Sequence, residues 1–104
     1  MNLNTQLSSQ LDDTTATHLA QLFGALADPS RLRIIAALAD GEKNVGDLAQ
    51  VAAISESAVS HHLRDLRQLR LVRARKEGRF VFYKLDDEHV IDLFQRGLEH
   101  VRHE

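Results

Sequence analysis

The spacing of apolar residues predicts an α+β fold, mainly helical, in which four helices lead into a β-hairpin and a fifth helix closes the chain. Three observations carry this reading. Apolar residues recur at helical spacing in successive windows between residues 14 and 69, and two β-rich runs then flank a short glycine-containing turn. From Asp87 onward the helical period returns. With 104 residues and 43% apolar composition the chain suffices for one domain. A domain this small leaves apolar surface to cover, and oligomerisation is an economical remedy.

Residues 1–13 form a polar arm in which Leu3, Leu7 and Leu11 are spaced by four, compatible with a mobile tail or with a helix ordered by a partner. The domain proper spans residues 14–104. Its first helix, about residues 14–27, carries Leu19, Leu22, Phe23 and Leu26. Asp28-Pro29 reads as an N-cap followed by proline at the first helical position. The second helix carries Leu32, Ile34, Ile35 and Leu38 and ends at Asp40-Gly41, where glycine suits a left-handed residue. Asn44 can cap a short third helix, with Asp47 in the reciprocal position three residues on.

Ser55 opens the fourth helix, with Glu56 near its positive N-terminus, and Ala58, Val59, His62, Leu63, Leu66 and Leu69 follow. Two helices of this size joined by a few residues and followed by basic side chains form a helix-turn-helix pattern. Residues 71–75 and 80–85 are β-rich and flank the turn Lys76-Glu77-Gly78-Arg79. Directly after a recognition helix, such a hairpin reads as a wing able to reach DNA phosphates or a minor groove with Arg75, Lys76 and Arg79. On the recognition helix, Ser57, Ser60, His61 and Arg64 are the candidate DNA contacts.

Charge supports that reading once it is divided along the chain. The net charge is −2, but between His61 and Arg79 seven basic residues face only Asp65 and Glu77, a local +5 that leaves −7 for the rest. Phosphate binding depends on such a local patch. There is no cysteine, which excludes disulfides and thiolate metal sites. No apolar run approaches a membrane span, and no signal peptide is recognisable at the N-terminus, so a cytoplasmic protein without membrane or small organic partners is expected.

The last helix, about residues 87–103, carries Val90, Ile91, Phe94, Leu98 and Val101 on an apolar stripe expected to be buried. Beside that stripe lie Asp87, His89, His100 and His103, four potential metal ligands. The eleven-residue step from His89 to His100 returns to nearly the same face, and His103 lies a turn further. At about 1.5 Å per residue the two ends are roughly 16 Å apart, whereas zinc holds nitrogen ligands at about 2.0–2.1 Å. One straight helix therefore cannot close the site. Two copies packed antiparallel can, with Asp87 and His89 from one protomer meeting His100 and His103 from the other. Asp87 and His89, two residues apart, converge only if Asp87 stands at the helix edge as its N-cap.

These elements resemble the ArsR/SmtB family of metal-responsive winged-helix repressors over residues 17–103. Three stretches carry the resemblance: Leu-Ala-Asp28-Pro-Ser-Arg31-Leu-Arg-Ile, Ser57-Ala-Val-Ser60-His61-His62-Leu63 and Arg-Lys-Glu-Gly-Arg-Phe-Val-Phe-Tyr83. The family places an interfacial zinc site on its last helix, at positions matching Asp87, His89, His100 and His103. Thiolate-sensing relatives carry two cysteines where this chain reads Glu42-Lys43-Asn44-Val45-Gly46-Asp47-Leu48, so nitrogen and oxygen ligation favours zinc, with cobalt or nickel as alternatives.

The resemblance implies a repressor whose metal-free homodimer binds a pseudo-palindromic operator in double-stranded DNA and releases it when zinc binds. It also implies a relay in which His100 donates its second N–H to a backbone carbonyl near Arg70, at the end of the recognition helix. Because protons compete for imidazole nitrogen, metal affinity is expected to fall towards and below about pH 6.5. A zinc hydrolase fits poorly, since four protein ligands leave no position for water and no His-Glu-x-x-His helix is present. A constitutive winged-helix DNA binder with structural zinc is the other alternative.

Overall fold

The computed structural model describes residues 6–103. A short 3₁₀ turn at Ser8–Gln10 precedes α1 (Asp13–Leu26), α2 (Pro29–Ala39), α3 (Val45–Ala52), α4 (Glu56–Gln68), β1 (Val72–Glu77), β2 (Phe80–Leu85) and α5 (Glu88–Arg102). The five helices and the hairpin appear in the expected order. Leu3 of the polar arm lies outside the described residues, while Leu7 and Leu11 are exposed.

Capping chemistry sets the helix starts. The Asp12, Asp28, Asn44 and Ser55 side chains accept hydrogen bonds from the backbone N–H groups of Thr15, Arg31, Asp47 and Ala58, at 2.8–3.0 Å. Each satisfies a donor that the first helical turn leaves unpaired. Only the forward half of the Asn44–Asp47 pair is made among the described residues: Asp47 donates its N–H and its side chain returns no bond to Asn44.

Two helix ends differ from anything glycine content would predict. Ala53 after α3 and Arg70 after α4 both occupy left-handed backbone, at φ 57° and 59°. Each is followed by an N–H reaching five residues back, Ile54 to the Ala49 carbonyl and Leu71 to the Leu66 carbonyl. The motif normally uses glycine, and a residue with a Cβ there costs about 1–2 kcal/mol. The compensation is the sharp reversal that brings α4 back across α3 and turns the chain from α4 into the wing.

The hairpin is longer and tighter than expected. Strand pairing runs from Val72↔Leu85 to Glu77↔Phe80, so Lys76 and Glu77 belong to β1 and only Gly78 and Arg79 make the turn. Gly78 alone takes positive φ, 60°, as a two-residue turn with glycine first requires. A third strand position was not foreseen. Lys43 exchanges two backbone hydrogen bonds with Tyr83, at 3.1 and 2.8 Å, so the segment before α3 pairs with the outer edge of β2.

The core is formed by Ile34, Ile35 and Leu38 of α2, Leu48 and Ala52 of α3, Val59, Leu63 and Leu66 of α4, Leu71, Val72 and Leu85 of the wing base, and Val90 of α5. α1 contributes the buried Ala25, with half-buried Leu22 and Leu26 packed against the core. The radius of gyration is 15.6 Å, and the extents are 52 × 35 × 20 Å. A compact domain of this size has a radius near 13 Å.

Candidate nucleic-acid interface and metal-ligating residues

Helix α4 divides its two faces cleanly. Val59, Leu63 and Leu66 are buried, while Ser57, Ser60, His61 and Arg64 are exposed on the outer side. Arg64 donates through Nη2 to His61 Nδ1 at 2.8 Å, so two of the candidate contacts form a connected pair. The helix is pinned to α2 from behind: Arg31 donates to Asp65 Oδ2 at 2.7 Å and to His62 Nδ1 at 3.0 Å. That tie was not anticipated, because its partners are 31 and 34 residues apart and no local pattern links them. Its effect is to fix the angle at which α4 presents its outer face. Asp28, which caps α2 beside this tie, is held below the ordinary aspartate range, chiefly by the hydrogen bond from the Arg31 N–H.

The wing's basic residues fall into two groups. Lys76 and Arg79 are exposed and have no ion-pair partner among the described residues. Arg79 lies over the Phe80 ring, 5.6 Å from its centroid. Arg75 is engaged by two carboxylates: it donates to Glu42 through Nε and Nη2 and to Glu77 through Nη1. Glu42 is held below the usual glutamate range by the Arg75 guanidinium, and Arg75 is pushed up in turn by Glu42 and then Glu77.

At the start of α5, Asp87 is the N-cap, accepting from the His89 N–H at 2.9 Å. The edge position expected for it is therefore occupied. His89 Nδ1 lies 3.5 Å from Asp87 Oδ1, and the His89 side chain is 93% exposed. At the other end, His100 is in the last turn and His103 is the C-cap residue, both exposed. Among the described residues no three imidazole or carboxylate groups come together to hold an ion. Nor does His100 meet the backbone near Arg70, so the relay is not made within one chain. Donor chemistry fits a borderline metal nonetheless: one carboxylate whose Oδ2 makes no hydrogen bond among the described residues, and three solvent-facing imidazoles.

The apolar stripe of α5 departs from expectation. Val90 is buried and Ile91 and Phe94 are half-buried, but Leu98 is 37% and Val101 81% exposed. Phe94, Leu98 and Val101 line an open apolar groove of about 520 Å³ with Phe23 and Leu26 of α1 and Leu32 and Ile35 of α2. Adding a Cβ to Gly97 on this face meets nothing within 4 Å. The periodicity marks these residues for burial, but nothing among the described residues covers Leu98 and Val101.

A helix-turn-helix with a three-residue turn, a polar outer face on its second helix and a basic-tipped hairpin behind it is a winged helix-turn-helix domain, the architecture of DNA-binding regulators. The sequence pattern of the bacterial regulatory protein arsR family matches residues 28–74, which span α2 to the middle of β1. A transcriptional repressor SmtB homolog of Synechocystis is 52% identical over 87 residues, covering 84% of this chain and 66% of that protein. The HTH-type transcriptional regulator NmtR of Mycobacterium tuberculosis is 43% identical over 96 residues, covering 92% of this chain and 80% of its own length. The solution structure of a homodimeric winged helix-turn-helix DNA-binding domain from Mycobacterium bovis superimposes with a TM-score of 0.77 at 32% identity, over 90% of this chain and 94% of that one. The chain belongs to the arsR family of bacterial regulatory proteins, and these relatives are transcriptional regulators rather than enzymes.

Proposed function

We propose that this chain is a metal-responsive transcriptional repressor that works as a homodimer. The observation that carries the proposal is on α5: ligand pairs stand exposed at its two ends, beside an apolar face that lacks a partner. A second copy packed antiparallel along α5 answers both needs at once. It covers Leu98, Val101 and Phe23, and it brings Asp87 and His89 of one protomer to His100 and His103 of the other. The mycobacterial structure described as homodimeric supports the association.

In this reading the metal-free dimer places its two α4 helices in successive major grooves, with Ser57, Ser60, His61 and Arg64 facing the bases and phosphates and the wings outside them. A zinc ion, once bound, supplies a crosslink between the two α5 helices. Asp87 holds the backbone of His89 through its cap and so keeps both ligands of one end aimed outward. The α5 helices held in that relation set the distance between the two α4 helices, which no longer match the groove spacing, and the operator is released. Arg70 and His100, brought together across the dimer, would carry this change to the end of α4. Coupling is reciprocal, and about 1–3 kcal/mol, roughly 5- to 150-fold in DNA affinity, is typical.

The test is a titration of binding to a short palindromic duplex at fixed salt, with zinc, cobalt and nickel added in turn. Zinc-induced release supports the reading, and release by nickel or cobalt alone replaces the metal. A gain in thermal stability with unchanged DNA affinity would make the protein a constitutive binder with structural zinc.

A further inference from the structure

The hairpin face that carries Arg75 pairs much of its basic charge with its own carboxylates. In the ladder, Arg73 pairs with Lys84, Arg75 with Phe82 and Glu77 with Phe80, so these six side chains share one face. Glu42 joins them because the Lys43–Tyr83 pairing places it alongside Lys84. All three guanidinium nitrogens of Arg75 donate to carboxylates: Nε at 3.1 Å and Nη2 at 2.9 Å to Glu42, and Nη1 at 2.8 Å to Glu77. Its Cζ also lies 5.1 Å from the Phe82 ring centroid. Arg73, Arg75 and Lys84 against Glu42 and Glu77 leave this face at only +1, and the Arg75 guanidinium is wholly engaged by the two carboxylates. If Arg75 turned away to reach a phosphate, Glu42 and Glu77 would be left unpaired beside the DNA backbone.

We propose that Arg75 is a positioning residue that braces the wing against the segment before α3, and that phosphate contact on the wing falls to Lys76 and Arg79. The brace crosses the whole sheet, from β1 over the Phe82 ring of β2 to Glu42 on the outer edge. A fork-to-carboxylate contact backed by two backbone hydrogen bonds at Lys43 is the geometry in which an exposed ion pair orders a segment rather than flickering. Lys76 pairs with Val81 and projects from the other face, while Arg79 sits in the turn over the Phe80 ring, and neither makes an ion pair among the described residues.

This inference rests on the DNA-binding reading, and the experiment separates the two. A duplex is first selected from a random-sequence pool with the wild-type protein, and the binding constant is then measured over a range of salt. Each phosphate contact contributes about 0.9 to the slope of log K against log salt. Lys76→Gln and Arg79→Gln are expected to reduce the slope by about 0.9 per wing. Arg75→Gln is expected to leave the slope unchanged while weakening binding roughly two- to five-fold per wing, the range of an exposed ion pair. Glu42→Gln should weaken binding in the same way, and the exchange Glu42→Arg with Arg75→Glu should restore part of the loss.

Two results would overturn the brace: a slope that drops by about 0.9 per wing in Arg75→Gln, or tighter binding in Glu42→Gln, as expected if Glu42 merely masks a phosphate-binding arginine. Circular dichroism on each variant establishes that the fold is intact. Failure to enrich any duplex would remove the DNA-binding reading itself, and the brace with it.

Discussion

Helices α4 and α5 are similar on paper and opposite in the molecule. Both are amphipathic, both start at an acid or hydroxyl N-cap and both end in basic side chains. α4 buries Val59, Leu63 and Leu66 almost completely against its own chain, whereas α5 buries only Val90 and leaves Leu98 and Val101 in water. Periodicity reports that a face wants covering and is silent about which molecule covers it. On the proposed reading, α4 serves the fold and α5 the assembly.

The contrast is broken most directly in the core. Leu63→Ala removes a side chain that is 1% exposed and is expected to destabilise the chain by about 2–5 kcal/mol, measured by urea unfolding at any protein concentration. Leu98→Gln should do something different in kind. It is expected to weaken self-association by about 1–2 kcal/mol per protomer in sedimentation equilibrium, while helix content at high concentration stays as in the wild type. Equal loss of stability in both variants, independent of concentration, would erase the distinction between the helices.

Asp87→Asn separates two roles at the start of α5. Asparagine caps as well as aspartate, so metal-free stability should change by less than about 0.5 kcal/mol, whereas loss of the carboxylate should weaken zinc binding by competition assay roughly ten-fold or more. Parallel losses of stability and affinity would mean that the residue acts only as a cap.

The smallest effect is on pH. Because folding lowers the Asp28 carboxyl, its contribution is complete above the ordinary aspartate value of about 3.9 and fades as pH falls through the lower folded value. Asp28→Asn should flatten this part of the acid limb in thermal unfolding between about pH 5 and pH 3. An unchanged acid limb would place the sensitivity elsewhere, with Asp12, which is lowered by its own capping bonds from Thr15, as the next candidate.

What was legible in the sequence was local. Asp28, Asn44, Ser55 and Asp87 were found as caps because a capping side chain and its N–H are two or three residues apart, and composition alone reveals the pair. The placing of Asp87 and His89 at one end of α5 and of His100 and His103 at the other was legible for the same reason, since helical pitch fixes where positions fall along a helix. Glu42 with Arg75, Arg31 with Asp65 and Lys43 with Tyr83 were not. Their partners are more than thirty residues apart, and each is one of many possible charge or backbone pairings until tertiary structure selects it. The hairpin shows a third case: Lys76 and Glu77 look like turn residues by composition, but the register set by Gly78 carries them into the ladder.

The Lys43–Tyr83 pairing also governs how the wing behaves among other proteins. By making β2 the middle strand, it leaves β1 as the open margin of the sheet among the described residues. Arg73, Arg75 and Lys76 are spread along that margin, and adding a strand there would require dehydrating Lys76 and crowding the ion pairs of Arg73 and Arg75. The same basic run thus guards a half-exposed ribbon against pairing with its neighbours.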